Sequence, residues 1–385
     1  MQLDTGFRRD RLTWIAYLML AWFAFLQAAP GLVIVHLRTE LDLSYAVGGL
    51  HVAGFAAGSM VAGLTSARLE RALGRRTLFW ASSAVMAVGT IGLVVGPAAP
   101  VTVGSVLVMG LGGGLLLATI QAALADHHGP RGAVALAEAN VAAGLSYVVL
   151  IGGLSLAAAL HVGWRAAVLA SLAVPVLAWW ANRRLAIDAP PPPSSSVAHG
   201  RLPAAFWIGA AMLFCMTAAE WCVTAWAATY VGTATAVTAD TAVTLMFGYF
   251  GGVVLGRLVG SRLARRYDPA RLLALALVVA GAGFAVLWPS TAPVPALVGL
   301  ALLGIGLGNL FPMGVSLTVA LAPGRAVLAS GRVVGVTSFS VLLAPLTVGA
   351  LADATSLAAA LWVVPAFLAL AAVGLAFARP PSVSA

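Results

Sequence analysis

The sequence predicts an all-α polytopic membrane protein with twelve transmembrane helices in two pseudo-symmetric six-helix bundles. Three observations predict it. Of 385 residues, 61% are hydrophobic and 9% charged, and the mean hydropathy of +1.01 lies far outside the range of soluble domains. The apolar residues fall in successive runs of about the 20 residues that a helix needs to cross a hydrocarbon core. The two halves also repeat each other across a Pro/Ser-rich break.

Taken in order, the leader MQLDTGFRRDR carries three arginines, and the apolar run after it extends from Leu12 to Val35. That is longer than the roughly 7 to 15 residues of a signal-peptide core, so it reads as a retained first span whose basic front stays in the cytoplasm. Runs near 45–66, 77–96, 101–125, 132–160 and 165–182 complete six spans. The stretch NRRLAIDAPPPPSSSVAHGR (182–201) has four consecutive prolines and three serines, and can neither cross a membrane nor form a regular helix. The expected division is therefore a first bundle over 1–184, a cytoplasmic linker over 185–202 and a second bundle over 203–385. Six further runs follow, near 203–231, 241–261, 272–289, 294–321, 326–351 and 357–378.

All 21 basic residues are arginine, and with the leader inside, 17 of them fall on the cytoplasmic side. Arg38 and Arg165 fall outside, while Arg257 and Arg332 are embedded. This bias fits the positive-inside rule, with both termini and the linker cytoplasmic; the expected location is the inner membrane of a bacterium. The net charge of +9 comes from these short clusters between spans, so nucleic-acid binding is not expected. Cys215 and Cys222 lie seven apart in one run, on one helix face and out of reach of each other, and read as packing residues.

Adding 194 to residues of the second span lands on the eighth: Gly54 on Gly248, Phe55 on Tyr249, Gly58 on Gly252, and Arg68, Leu69 and Arg71 on Arg262, Leu263 and Arg265. Adding 192 relates the fifth span to the eleventh, with Ser146, Tyr147 and Leu150 over Ser338, Phe339 and Leu342. A shift of 193 places Trp14 on Trp207 and Gln27 on Glu220. Registers this close imply duplication.

With two six-helix halves, a long central linker and a Gly/Arg-rich loop after the second span repeated after the eighth, the whole chain resembles the major facilitator superfamily. Of that family's loop motif, GLTSARLERALGRR (63–76) keeps Gly63, Gly74, Arg75 and Arg76. The expected aspartate is missing, and Glu70 and Arg71 stand one residue early. The seventh span has Glu220, Trp226 and Tyr230 in an E-x5-W-x3-Y pattern that looks like one found in some prokaryotic sugar and drug branches.

The resemblance implies alternating access about a mid-membrane site lined mainly by spans 1, 4, 7 and 10. A carboxylate in mid-bilayer costs a few kcal/mol, so Glu220 reads as functional; otherwise it is protonated or hydrogen-bonded between helices. Protonation in a low-dielectric cavity would remove the desolvation penalty and permit reorientation, which makes Glu220 the candidate proton-coupling residue. Candidate substrate contacts are Gln27, Trp22, Gln121, Trp226, Tyr230 and Asn309, each with helix packing or a helix–helix hydrogen bond as its alternative. Among embedded charges, Glu138 is expected to pair with Arg257 and Arg332 with Glu70, while Asp126 at the inner end of span 4 is expected to hold Arg75 or Arg76, either as gates or as static contacts that orient helices. His51 reads as packing before proton relay.

There is no GxxxxGK[ST] loop for ATP and no arrangement that suggests an enzyme, and His127 and His128 beside Asp126 are too few for a metal site. No cofactor and no metal are expected. The expected partners are protons, the lipid bilayer and a small-molecule substrate, with the protein a monomer. A sugar needs many converging hydrogen-bond partners, each costing about 1 to 3 kcal/mol if left unpaired, and the central spans offer few. An apolar, aromatic cavity with one acid favours proton-coupled export of an amphipathic or drug-like molecule. The alternatives are proton-coupled uptake of a sugar or other metabolite, and a non-transporting receptor or lipid-handling protein.

Overall fold

A computed structural model of the chain describes residues 8–187, 201–264 and 266–378, and of Val327 the backbone alone. Most of the expected linker, residues 188–200, lies outside the described residues, as do Arg265 and Arg379. The first half comprises α1 (Arg11–Leu41), α2 (Tyr45–Leu73), α3 (Arg75–Val95), α4 (Ala99–His128), α5 (Gly132–Ala159), α6 (Gly163–Ala170) and α7 (Ala173–Asn182). The second comprises α8 (Ala204–Ala234), α9 (Ala239–Leu263), α10 (Pro269–Leu287), α11 (Pro293–Ala320), α12 (Ala326–Ala354), α13 (Leu357–Ala360) and α14 (Val363–Phe377).

Among the described residues, 11 stretches are long and apolar enough to cross a membrane, one of them running for 61 residues from Ala99 to Ala159. At about 1.5 Å per residue that stretch is far longer than one crossing. Gly129, at φ 50°, ends α4, and a 3-10 turn over Gly129–Arg131 leads into α5. Divided there, the stretch makes two spans and the total is twelve.

The sixth and twelfth spans are each broken, α6 from α7 and α13 from α14. Pro175 and Pro365 are the cause, because a proline nitrogen cannot donate to the carbonyl four residues back, here Ser171 and Leu361. The chain loses its helical register at those residues and resumes two residues later.

Helices within each half cross where glycine removes the side chain between two backbones. A Cβ added at Gly110 of α4 would stand 2.1 Å from the Phe55 carbonyl oxygen of α2, and one at Gly304 of α11 would stand 2.0 Å from that of Tyr249 of α9. Gly112 meets Met86 of α3, and Gly306 meets Ala280 of α10, in the same way. All four pairings obey the 194-residue shift read from the second and eighth spans, so the duplication extends through three consecutive helices. Without a hydrophobic force between helices in lipid, such close backbone approach is a main source of association.

The chain divides into two compact units, Met1–Pro30 with Gly54–Pro193 and Gly31–Ala53 with Ser194–Ala385. The second unit thus takes in the end of α1 and the start of α2 as well as the half after the linker. Close packing is the reason: a Cβ on Gly31 would meet the Thr224 carbonyl oxygen of α8 at 2.7 Å, and one on Gly49 the Pro345 carbonyl oxygen of α12 at 3.0 Å.

Candidate functional site

In the first unit, α1 starts from Asp10. One Asp10 carboxylate oxygen accepts from the Thr13 backbone N–H at 2.9 Å and from its hydroxyl at 2.6 Å, and the other lies 2.7 Å from His127 Nε2 at the end of α4. This is an N-cap that satisfies a free helix N–H. Partial burial raises the Asp10 pKa, but the Thr13 and His127 contacts outweigh it and hold the carboxyl below the usual aspartate range.

Beside it, the Arg9 guanidinium donates twice to Glu138 of α5, at 2.7 and 2.6 Å, and the Tyr17 hydroxyl donates to the same carboxylate at 3.0 Å. Glu138 is the residue the sequence pairs with Arg257. In the structure both of its oxygens are held within its own unit, and Arg257 donates from Nε to the Gly308 carbonyl at 3.2 Å. Each therefore has a partner other than the expected one.

The loop between α2 and α3 is organised around Arg75. Gly74, at φ 78°, makes the turn in a left-handed conformation that only glycine adopts without strain. Arg75 then folds back, donating from Nε to Glu70 and from Nη2 to Asp126 of α4 at 2.8 Å. Asp126 thus takes Arg75 rather than Arg76. Glu70, which the sequence offers to Arg332, is engaged by Arg75.

The expected substrate contacts separate into two groups. Gln27 of α1, partly buried, and Gln121 of α4, exposed, make no side-chain hydrogen bond with any described residue. The same is true of the Glu220 carboxylate, which is partly buried in the middle of α8 and is attracted electrostatically by Arg257 of α9. Its backbone is held firmly, since the Glu220 carbonyl accepts from Thr224 Oγ1 at 2.9 Å and from the Tyr249 hydroxyl at 3.4 Å. The backbone carbonyl is thus engaged, and the carboxylate has no hydrogen-bond partner among the described residues.

The remaining contacts have structural duties. Trp226 is 1% exposed and donates its indole N–H to the Pro345 carbonyl at 2.9 Å, with its ring 5.8 Å from Tyr45. The Tyr230 hydroxyl donates to the Trp288 carbonyl, tying α8 to the end of α10. Asn309 donates to the Gly256 carbonyl at 2.5 Å and joins α11 to α9 beside a small cavity of about 80 Å³. Trp22 is buried, with its indole N–H 3.4 Å from Ser171, and lines an apolar crevice of about 650 Å³ between α1, α5 and α6. Each of these four side chains thus has a hydrogen-bond contact within the protein.

A network in the second unit has no counterpart in the sequence reading. Asp353 at the end of α12 accepts from the backbone N–H groups of Tyr45 and Ala46 at 2.7 and 2.8 Å, capping α2. The Arg38 guanidinium lies 3.4 Å from the Tyr45 ring centre and donates from Nε to the Leu43 carbonyl at 3.1 Å. The only signal for it in the sequence was an acid at a helix end, and its partners lie some 308 residues away.

The sequence profile of the Major Facilitator Superfamily matches residues 13–234 and 209–385. No curated protein matches the sequence. Among solved structures, a bacterial homologue of the human lysosomal transporter Spinster, inward-facing and occupied, is similar with a TM-score of 0.75 at 13% identity over 97% of both chains. A D-xylose-proton symporter gives 0.78 at 14% identity over 95% of this chain and 96% of that one. The E. coli fucose:proton symporter gives 0.61 at 16% identity, covering 95% and 98%. With the helix count, the internal duplication and a profile match over nearly its whole length, this multi-pass membrane protein belongs to the major facilitator superfamily.

Proposed function

We propose that the protein is a proton-coupled secondary transporter that exchanges a small amphipathic or drug-like molecule against protons by alternating access, in the direction of export. The observation that carries this reading is the Glu220 carboxylate, held at mid-span on a well-anchored backbone with no hydrogen-bond partner among the described residues. An ionised acid at such a depth costs about 2.5 to 3.5 kcal/mol. A proton or a cationic substrate removes that cost, and the two compete for one site, which is the requirement for exchange. Gln27 and Gln121 carry the unengaged amides through which a substrate is held.

A second reading is proton-coupled uptake of a sugar or other small metabolite. The likeness to the D-xylose-proton and fucose:proton symporters favours it. The scarcity of unengaged polar groups in α1, α4, α8 and α11 weighs against it. In either reading the protein is a transporter rather than an enzyme, and it lies in the bacterial inner membrane with both termini cytoplasmic.

The test is proton release from purified protein as lipophilic cations, sugars and small acids are added, for wild type and Glu220→Gln. Exchange predicts that one class of lipophilic cation releases protons from wild type and none from the variant. A compound that binds both proteins equally with no proton signal makes Glu220 structural and refutes the coupling. Proton uptake on addition of a sugar selects the second reading.

A further inference from the structure

Most arginines with interactions in the structure meet an acceptor close by: Arg9 meets Glu138, Arg75 meets Glu70 and Asp126, and Arg11 meets Asn182 at 2.6 Å. Arg201, just before α8, and Arg332, two turns into α12, are among the arginines without such a partner and are set apart by sharing a pocket. Neither has a carboxylate or a hydrogen-bond acceptor among the described residues, and both line one pocket of about 480 Å³ together with Leu202, Trp207 and Leu328. Two like charges that share a concavity repel each other, and an anion between them turns that repulsion into two attractions.

The surroundings strengthen the field. Both α8 and α12 begin beside this pocket, and neither N-terminus has a side-chain cap, so unsatisfied N–H groups with partial positive charge accompany the guanidinium groups. The rest of the lining is apolar. Leu202 and Leu328 are partly buried, and Trp207 is 49% exposed in the first turn of α8, where an amphipathic indole suits a membrane–water boundary. The distribution of arginines puts these two helix starts at the cytoplasmic face. That is the leaflet in which basic pockets between spans take up anionic headgroups.

We infer that Arg201, Arg332 and Trp207 form a binding site for the headgroup phosphate of an anionic phospholipid in the cytoplasmic leaflet. The guanidinium groups bind the phosphate oxygens, and Trp207, Leu202 and Leu328 pack against the glycerol and the first acyl carbons. A free phosphate ion shares the first interaction but gains nothing from the second. The volume leaves ample room for such a headgroup, given about 30 Å³ for a water molecule in the liquid. The inference does not depend on Glu220 or on the direction of transport, only on the sidedness of the helices.

The experiment is native mass spectrometry of the full chain in detergent, titrated with phosphatidylglycerol or phosphatidylcholine, for wild type, R201Q, R332Q and the double variant. Both arginines are exposed, so the substitutions leave the core intact. Wild type should bind phosphatidylglycerol in preference. Each substitution should weaken that binding about fivefold and the double variant about 25-fold, from the contribution of one arginine near an anionic surface. Binding of phosphatidylcholine should not change. Equal retention of phosphatidylglycerol by wild type and double variant overturns the inference. So does displacement of the lipid by inorganic phosphate at matched concentration, which would make this a soluble-anion site. A second measurement leaves both arginines in place: the fluorescence difference between wild type and Trp207→Phe should shift with phosphatidylglycerol and not with phosphatidylcholine, and an unchanged difference counts against the site.

Discussion

The Arg75 side chain is 2% exposed while its partners Glu70 and Asp126 are 16% and 37% exposed, so the cation is confined and the anions are half in water. Breaking a buried pair from one side leaves the other charge uncompensated, at about 3 to 5 kcal/mol when both are buried. The partial exposure of the carboxylates reduces this, and Arg75→Gln should lower stability by roughly 2 kcal/mol in thermal unfolding. Arg76→Gln, one residue away, should change it by less than about 0.5 kcal/mol. Asp10 supplies a pH-dependent case. Its folded pKa is depressed, so its contribution is complete above the ordinary carboxylate value and is lost as pH falls through the lower folded value. The stability difference between wild type and Asp10→Asn should therefore shrink as pH falls below about pH 4. Hydrogen exchange of the first turn of α1 reads it directly. At this scale the sequence was only partly legible. Embedded charges are recognisable because they are costly in lipid, and Glu138, Arg257 and Arg332 stand out for that reason. Their partners are set by tertiary approach, and Glu138 meets Arg9 across 129 residues of chain. No local pattern indicates that pairing, and an analogy of fold pointed to Arg257 instead.

The helices themselves were legible almost throughout, because long apolar runs are the main requirement for a span and arginine clusters mark their cytoplasmic ends. The breaks in the sixth and twelfth spans were not, since Pro175 and Pro365 look no different in sequence from Pro30, Pro312 and Pro345, which lie inside unbroken helices. Glycine spacing is where element and packing meet. Gly304 and Gly110 occupy corresponding crossings in the two halves, with a neighbouring carbonyl oxygen about where a Cβ would lie. Gly304→Ala and Gly110→Ala should each destabilise by roughly 1 to 3 kcal/mol, since the opposing atom is backbone and cannot rotate away. Gly281 of α10 has nothing within 4 Å of an added Cβ. At this open site Gly281→Ala should be neutral or stabilising by up to about 1 kcal/mol, through helix propensity. Equal effects at all three positions would show that propensity, and not the crossing, governs these glycines.

For the whole molecule, the alternating access proposed above would require that the segment Gly31–Ala53 part from α8 and α12 at some point in the cycle. The contacts to be broken are the Asp353 cap on Tyr45 and Ala46, the Arg38 stack on Tyr45 and the close approach of Gly49 to α12. Of these, the cap is the one whose removal leaves the apolar packing untouched. Hydrogen bonds to a charged acceptor contribute about 1.5 to 3 kcal/mol each, and an exposed carboxylate falls at the low end. Asp353→Asn keeps one acceptor oxygen and loses the charge facing the α2 N-terminus, so it should weaken the latch by roughly 1 to 2 kcal/mol, or about five- to thirtyfold in the opening equilibrium. Ile34, 1% exposed beside Gly48, reports on that opening. In a background with Cys215 and Cys222 replaced, Ile34→Cys should react slowly with a membrane-impermeant maleimide, and several-fold faster once Asp353→Asn is added. An unchanged rate would mean that the glycine contacts alone hold the segment. Asp353 would then serve only as a helix cap, and the opening free energy would reside in packing that Gly49→Ala should disrupt.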